Sequence, residues 1–222
     1  MKLTAIGLRK NWIYEALVAT YHIDGTTPNI AMMGISTPDM EHIVIRPYVT
    51  SDTYKNILHH RCAVIEFIYE PNILYNAVFK GWGKGPSEPE LPPNCFKHAK
   101  VVNAPVLKDS KFWIEVRMCN MCGISGGRAT IICEVVHIEG VSREGAIIRP
   151  YCRAEGCFVE ALVAASRLLA AIEEKRLRDS LLLLQMLHIC YDIIKRTAPD
   201  SEYLRLTRSL IEDIHERFKR AI

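Results

Sequence analysis

"RPYVTSDTYKNIL", residues 46–58, lies between two apolar strand patterns, "EHIVIRPYV" before it and "RCAVIEFIY" after it. Its middle reads as a short helix, about residues 52–60, that starts at Ser51 or Asp52. A helix inserted between two strands breaks a plain up-and-down meander, so this stretch decides which β architecture the chain can build. It also raises a chemical question. The strand delivers Arg46 to a helix start rich in hydroxyls, Ser51 and Thr53. First-turn N–H groups lack partners and the helix dipole is positive there, so arginine and hydroxyls beside them suit an anion. The simpler alternative is that Ser51 or Asp52 only caps the helix and Arg46 is a solvated strand end.

Working outward, "WIYEALVATYHID" alternates and is rich in β-branched and aromatic residues, which predicts a strand. "DGTT" (24–27) reads as a turn, "NIAMMGIST" as its hairpin partner, and "MEHIVIRPYV" as a third strand. After the helix, "CAVIEFIY" is a fourth strand and "PNILYNAVF" (71–79) a short helix with Pro71 in its first turn. "KGWGKGPSEPELPPNCF" is dense in Gly and Pro and reads as a loop, either a lid or a segment draped over a neighbour. Strands resume at "KFWIEVRMCNM" and "ATIICEVVHIEGV", joined through "GISGG".

From residue 153 the period changes. Phe158, Ala161, Leu162, Ala165, Leu168, Leu169 and Ile172 recur at steps of three and four, one face of a helix. "LRDSLLLLQMLHICYDIIKRT" is a second helix, stopped near Ala198-Pro199, and a third is capped by Asp200 or Ser201. The predicted class is α+β: an antiparallel β-barrel over residues 1–150 and a three-helix C-terminal segment over 151–222.

The 28 basic residues nearly balance the 25 acidic ones, and they are scattered apart from "KRLR" and "RFKR". That argues against a nucleic-acid partner, which concentrates positive charge in a stripe. The longest apolar run, "CFVEALVAASRLLAAI", is interrupted by Glu160 and Arg167, so no membrane span is expected. "MKLTAIGLRKNW" does not read as a signal peptide, and a cytoplasmic protein is expected. Its eight cysteines are then expected as thiols. Cys119 and Cys122 form a C-x-x-C, but strand positions three apart face opposite sides, so a zinc or redox site is not predicted. No G-x-S-x-G, H-E-x-x-H or phosphate-loop pattern occurs.

The hairpin Val18 to Ser36, the Thr53–Asn56 "T-x-x-N" helix and the apolar strand after it resemble the FMN-binding split barrels, the superfamily of flavin reductase-like and pyridoxamine-phosphate-oxidase-like proteins. "RAEGCFVEALVAASRL" and "YDIIKRTAPD" resemble the helical tail of an uncharacterised, mainly archaeal branch, so the likeness covers nearly the whole chain. It implies FMN as cofactor, held at its phosphate by Arg46, Ser51, Thr53 and Tyr54. It implies a ring lying against the strand from Asn29 to Gly34. Met32-Met33-Gly34 stand where many relatives carry Pro and Ser, so this strand offers main-chain groups in place of hydroxyls. Asn56 matches a family asparagine that braces the loop more often than it touches ligand, and Arg128 is placed to reach a phosphate from a partner subunit. A homodimer with flavin near its interface is implied, acting on a small molecule such as a pterin, a deazaflavin or a nicotinamide. Alternatives are a non-catalytic flavin-binding protein and a cofactor-free module of the same fold.

The residue types fit that reading. A phosphate monoester carries about −1.5 to −2 charge, which arginine grips with a planar fork. A flavin carries the redox chemistry itself, so a nucleophile–base pair is not required. Trp82, Arg149 and Arg153 are lesser candidates for ring or anion contacts, with a structural role the simpler reading for each.

Overall fold

The computed structural model describes residues 3–78, 89–140 and 150–221. Trp82 and Arg149, and most of the expected lid, lie outside the described residues. The chain forms two compact units, one of Met1–Lys10 with Tyr14–Tyr151, the other of Asn11–Ile13 with Cys152–Ile222.

The first unit is a closed six-stranded antiparallel barrel. Its strands are β1 (Ile13–Tyr21), β2 (Pro28–Ser36), β3 (His42–Ile45), β4 (Cys62–Glu66), β7 (Trp113–Ser125) and β8 (Arg128–Glu139), in the order β1-β2-β3-β8-β7-β4. α1 (Asp52–His60) is inserted between β3 and β4, as the spacing predicts, and α2 (Pro71–Val78) follows β4. β1 and β4 are covered on both faces, which explains why "IYEALVATY" and "CAVIE" are nearly continuous in apolar residues. β3 is shorter than the "MEHIVIRPYV" pattern. After Ile45 the chain turns, and Pro47, with no N–H to donate, contributes only its carbonyl, to Ala129 N at 3.0 Å.

β5 (Phe96–His98) and β6 (Pro105–Leu107) pair as a small second sheet. Three-residue strands carry too little alternation to be read, and the sequence reading places no strand there. Buried carboxylates hold these loops to the barrel. Glu115 accepts from the backbone N–H of Lys100, Val101 and Val102 and from Trp113 Nε1. Burial works against its charge, but these donors outweigh it and hold its carboxyl below the usual range. Glu66 is fully buried and takes Leu107 N with both oxygens at 3.2 Å; burial pushes it up to about 7.

The second unit contains α3 (Arg153–Glu173), α4 (Leu177–Thr197) and α5 (Glu202–Ala221). Ala161, Ala165, Leu168, Leu187, Cys190, Ile211 and Ile214 form its core. Ser201 caps α5, its hydroxyl accepting from Leu204 N at 3.2 Å and donating to Ala198 O. All eight cysteines are free thiols. Burial pushes Cys133 to about 12 and Cys190 to about 11, the behaviour of inert thiols. Among the described residues no group of three His, Cys, Asp or Glu side chains is placed to hold a metal, and no helix is long and apolar enough to cross a membrane.

Candidate functional site

α1 begins as its sequence dictates. Ser51 is the N-cap: its hydroxyl accepts from Tyr54 N at 3.2 Å and donates to Tyr48 O at 2.7 Å. The Ser51 side chain is thus committed to the cap, while the first-turn N–H groups mark a positively polarised end.

A buried polar network ties that end to the barrel. Asn29 Nδ2 donates to Thr20 Oγ1 (3.1 Å) and to Thr53 Oγ1 (3.2 Å), and Asn56 Nδ2 donates to Thr20 Oγ1 (3.0 Å). Thr20, Asn29, Thr53 and Asn56 are each at most 2% exposed. Thr53, expected to meet the phosphate with its hydroxyl, therefore has that side chain turned inward, as have Asn29, expected only as part of the strand behind the ring, and Asn56, expected more as a brace than as a ligand contact. Their polar atoms are used in joining α1 to β1 and β2, because a buried amide without a partner costs about 1–3 kcal/mol. They position the helix start. Thr20, the hub, is missed as a functional position although it stands in the Val18-to-Ser36 motif.

The joint places α1 beside an open strand edge. β2 pairs with β3 only at Ile35↔Ile45 and Ser36↔Val44. Further back, Ile30 N is taken by the Glu90 carboxylate at 2.9 Å, where a neighbouring strand would otherwise accept. Main-chain groups of alternate residues point to the same edge of a strand. Met32 and Gly34 therefore direct their N–H and C=O to the edge that β3 has left. Ala31, Met32, Met33 and Gly34 are all half-buried, on both faces of the strand, while Met32 also packs on the barrel core.

One step beyond Ile35↔Ile45 brings Arg46 level with Gly34. Arg46 is exposed, and among the described residues its guanidinium has no hydrogen-bond or ion-pair partner. Arg128 stands next to it in the same chain. Tyr48 bridges to Arg128 across the sheet, and Arg128 Nη1 donates to Arg46 O at 3.4 Å. The Arg128 guanidinium lies 4.0 Å above the Tyr48 ring, a cation–π contact that fixes its plane. The turn before it, Gly126-Gly127, has φ of 56° and 73°, the two left-handed residues that a tight two-residue hairpin turn requires. Val49 N bonds Gly127 O at 3.0 Å, locking that turn to the approach to α1. Tyr54 completes the corner, its hydroxyl donating to Met121 Sδ at 3.8 Å. Tyr48 is a second residue the sequence reading missed; its only signal is its place between Arg46 and Ser51.

The corner thus combines two guanidinium groups, neither paired to a carboxylate among the described residues, with a helix N-terminus and an unpaired strand edge. It can bind an anion joined to a flat group with donors and acceptors along one side. Cys119 and Cys122 are exposed on β7, each at an irregularity of its pairing with β8, at Met118/Asn120 and at Met121/Gly123.

Fold and corner together define an antiparallel split barrel of the α+β class. The chain belongs to the family described as "Protein of unknown function (DUF447) N-terminal domain", whose model matches residues 14–143. Among solved structures it is similar to an FMN-bound protein of the same family from Methanosarcina mazei, at 21% identity and a TM-score of 0.53, over 96% of this chain and 99% of that one. It is similar to a putative flavin reductase with a split barrel domain from Shewanella frigidimarina, at 16% identity and a TM-score of 0.51, over 60% of this chain and 69% of that one. A flavoredoxin from Methanosarcina acetivorans aligns at 11% identity with a TM-score of 0.51, over 65% and 77% of the two chains. Among curated proteins, no sequence matches this chain.

Proposed function

We propose that this protein binds FMN on its barrel and acts, as a homodimer, as a flavin-dependent oxidoreductase on a small cytosolic substrate. The observation that carries the reading is the Arg46 guanidinium, uncommitted among the described residues, beside the start of α1 and the open edge of β2. Arg46 and Arg128 hold the phosphate from one side, and the first-turn N–H groups of α1 meet it from the other. Met32 and Gly34 offer main-chain donors and acceptors to the polar edge of the ring, at little cost in side-chain entropy. Asn29, Thr53 and Asn56 hold the two halves of the site in register through Thr20. FMN, when bound, supplies the hydride chemistry. Met121, Ile124 and Tyr48 are exposed at the same corner, an apolar rim suited to cover by a second copy. The FMN-bound relative and the putative flavin reductase neighbour support the same reading.

The test is purification without added ligand, then denaturation and identification of any released chromophore by mass. The expected chromophore is FMN, or its stoichiometric uptake when added to apoprotein. A colourless protein that takes up no FMN overturns the reading. Oxidation of a reduced nicotinamide or deazaflavin by the loaded protein separates an enzyme from a flavin carrier.

A further inference from the structure

The cysteines of the helical unit are not placed alike. Cys152 is buried and gives its thiol to Thr197 O at 3.9 Å. Cys157 on α3 and Cys190 on α4 are instead hydrogen-bonded to each other across the helix pair. Cys157 also packs on the core cluster that holds Cys190. The helix hairpin dictates the meeting. α3 and α4 run back to back about the short turn at Glu174. Leu168 and Ser180, Ala161 and Leu187, and Ala154 and Ile194 are buried 6, 13 and 20 residues either side of it. Cys157 stands 17 residues before Glu174 and Cys190 16 after it, so the two belong to the same facing rows. Ala154, Ala161, Ala164 and Ala165 on α3 are small and buried, which lets the two backbones approach closely. A disulfide needs Cα atoms about 4.4–6.8 Å apart, which a close approach supplies.

The two thiols differ in access. Cys157 is half-buried. Burial raises its thiol, while the Arg153 charge one turn earlier works the other way. Cys190 is 6% exposed and is pushed up to about 11, by burial first and by the Cys157 thiol second. It is therefore inert toward reagents in solution, but it needs no solvent path to reach Cys157.

We propose that Cys157 and Cys190 form a redox-responsive thiol pair that a peroxide closes to a disulfide, stapling α3 to α4. The Cys157 sulfur attacks one peroxide oxygen, the O–O bond breaks, and the thiol becomes a sulfenic acid with release of water. The Cys190 sulfur then attacks the Cys157 sulfur. The S–O bond breaks, the S–S bond forms, and a second water leaves with the Cys190 proton. Two thiols lose two electrons, and one hydrogen peroxide is reduced to two waters. A neutral sulfenic acid at Cys157 no longer opposes a thiolate at Cys190, so the first step prepares the second. The pair belongs to the helical unit and does not depend on flavin binding.

The test treats the full chain with hydrogen peroxide, alkylates it unfolded with a maleimide, and cuts it with trypsin without reduction. The expected product is peptide 154–167 bonded to peptide 179–195, each of which carries one cysteine. Dithiothreitol is expected to remove it. Cys119→Ser with Cys122→Ser is expected to keep the product, because the exposed thiols of β7 are not its source. Cys190→Ala is expected to stop at the sulfenic acid, raising dimedone labelling of Cys157 roughly tenfold over wild type. Three results overturn the proposal: both thiols still alkylated after peroxide, Cys157 carried to sulfinic acid with Cys190 still alkylated, or Cys157 linked to a different cysteine.

Discussion

Thr20 sets the geometry of the site without being placed to touch a ligand. Its hydroxyl oxygen accepts from two buried amides, Asn29 and Asn56. Thr20→Val keeps the shape and removes both bonds, leaving two buried donors short of an acceptor. The expected cost is about 2–6 kcal/mol in urea denaturation, summing about 1–3 kcal/mol for each of the two unpaired groups. A loss below about 0.5 kcal/mol would mean that the network carries no stability. Arg46 belongs to the opposite kind of residue: its side chain is exposed and has no hydrogen-bond or ion-pair partner among the described residues. Arg46→Ala is expected to leave the urea midpoint unchanged and to weaken FMN binding by about 1.5–3 kcal/mol, the range for a hydrogen bond to a charged group, or roughly 10- to 150-fold. Fluorescence titration of apoprotein reads this. Arg46→Lys is expected to fall in between, because lysine keeps the charge but loses the fork.

At the scale of elements, β4 and β6 are joined through Glu66, and that joint responds to pH. Burial raises its carboxyl from the ordinary 4.5 to about 7. Between those values the folded chain holds a proton that the unfolded chain has released. Stability from this group is therefore complete below the unfolded value and falls as pH rises through the window, with no further slope above about 7. At about 1.4 kcal/mol per unit the fall is roughly 3 kcal/mol. Glu66→Gln keeps an acceptor for Leu107 N and does not titrate. The stability of wild type relative to this variant should drop by that amount between pH 4.5 and 7.5, and parallel curves would exclude the assignment. α1, the first hairpin and the three C-terminal helices were legible in the sequence, because a cap, a Gly turn and a 3-4 apolar period are local signals. β5 and β6 were not, being three residues each and held by carboxylates from elsewhere in the chain. The inward turn of the Thr53 hydroxyl was also hidden: a helix pattern gives the face of a residue, while a polar residue on a buried face is read as a ligand contact or as a brace only once its partner is known.

For the molecule as a whole, the account rests on one physical claim: the corner where β3 leaves β2 holds the phosphate of a flavin nucleotide. Pattern alone reached the barrel and named Arg46 and Arg128. It could not show that the two arginines meet in one chain, since that depends on the Tyr48–Arg128 bridge across strands eighty residues apart in sequence. The claim separates phosphate from ring, and the most direct measurement does the same: binding of FMN against riboflavin, which lacks the phosphate, to wild type and to Arg46→Ala apoprotein. The account predicts that wild type prefers FMN at least tenfold, and that Arg46→Ala loses most of that preference while riboflavin affinity stays the same. Equal affinity of the wild type for the two flavins would contradict it.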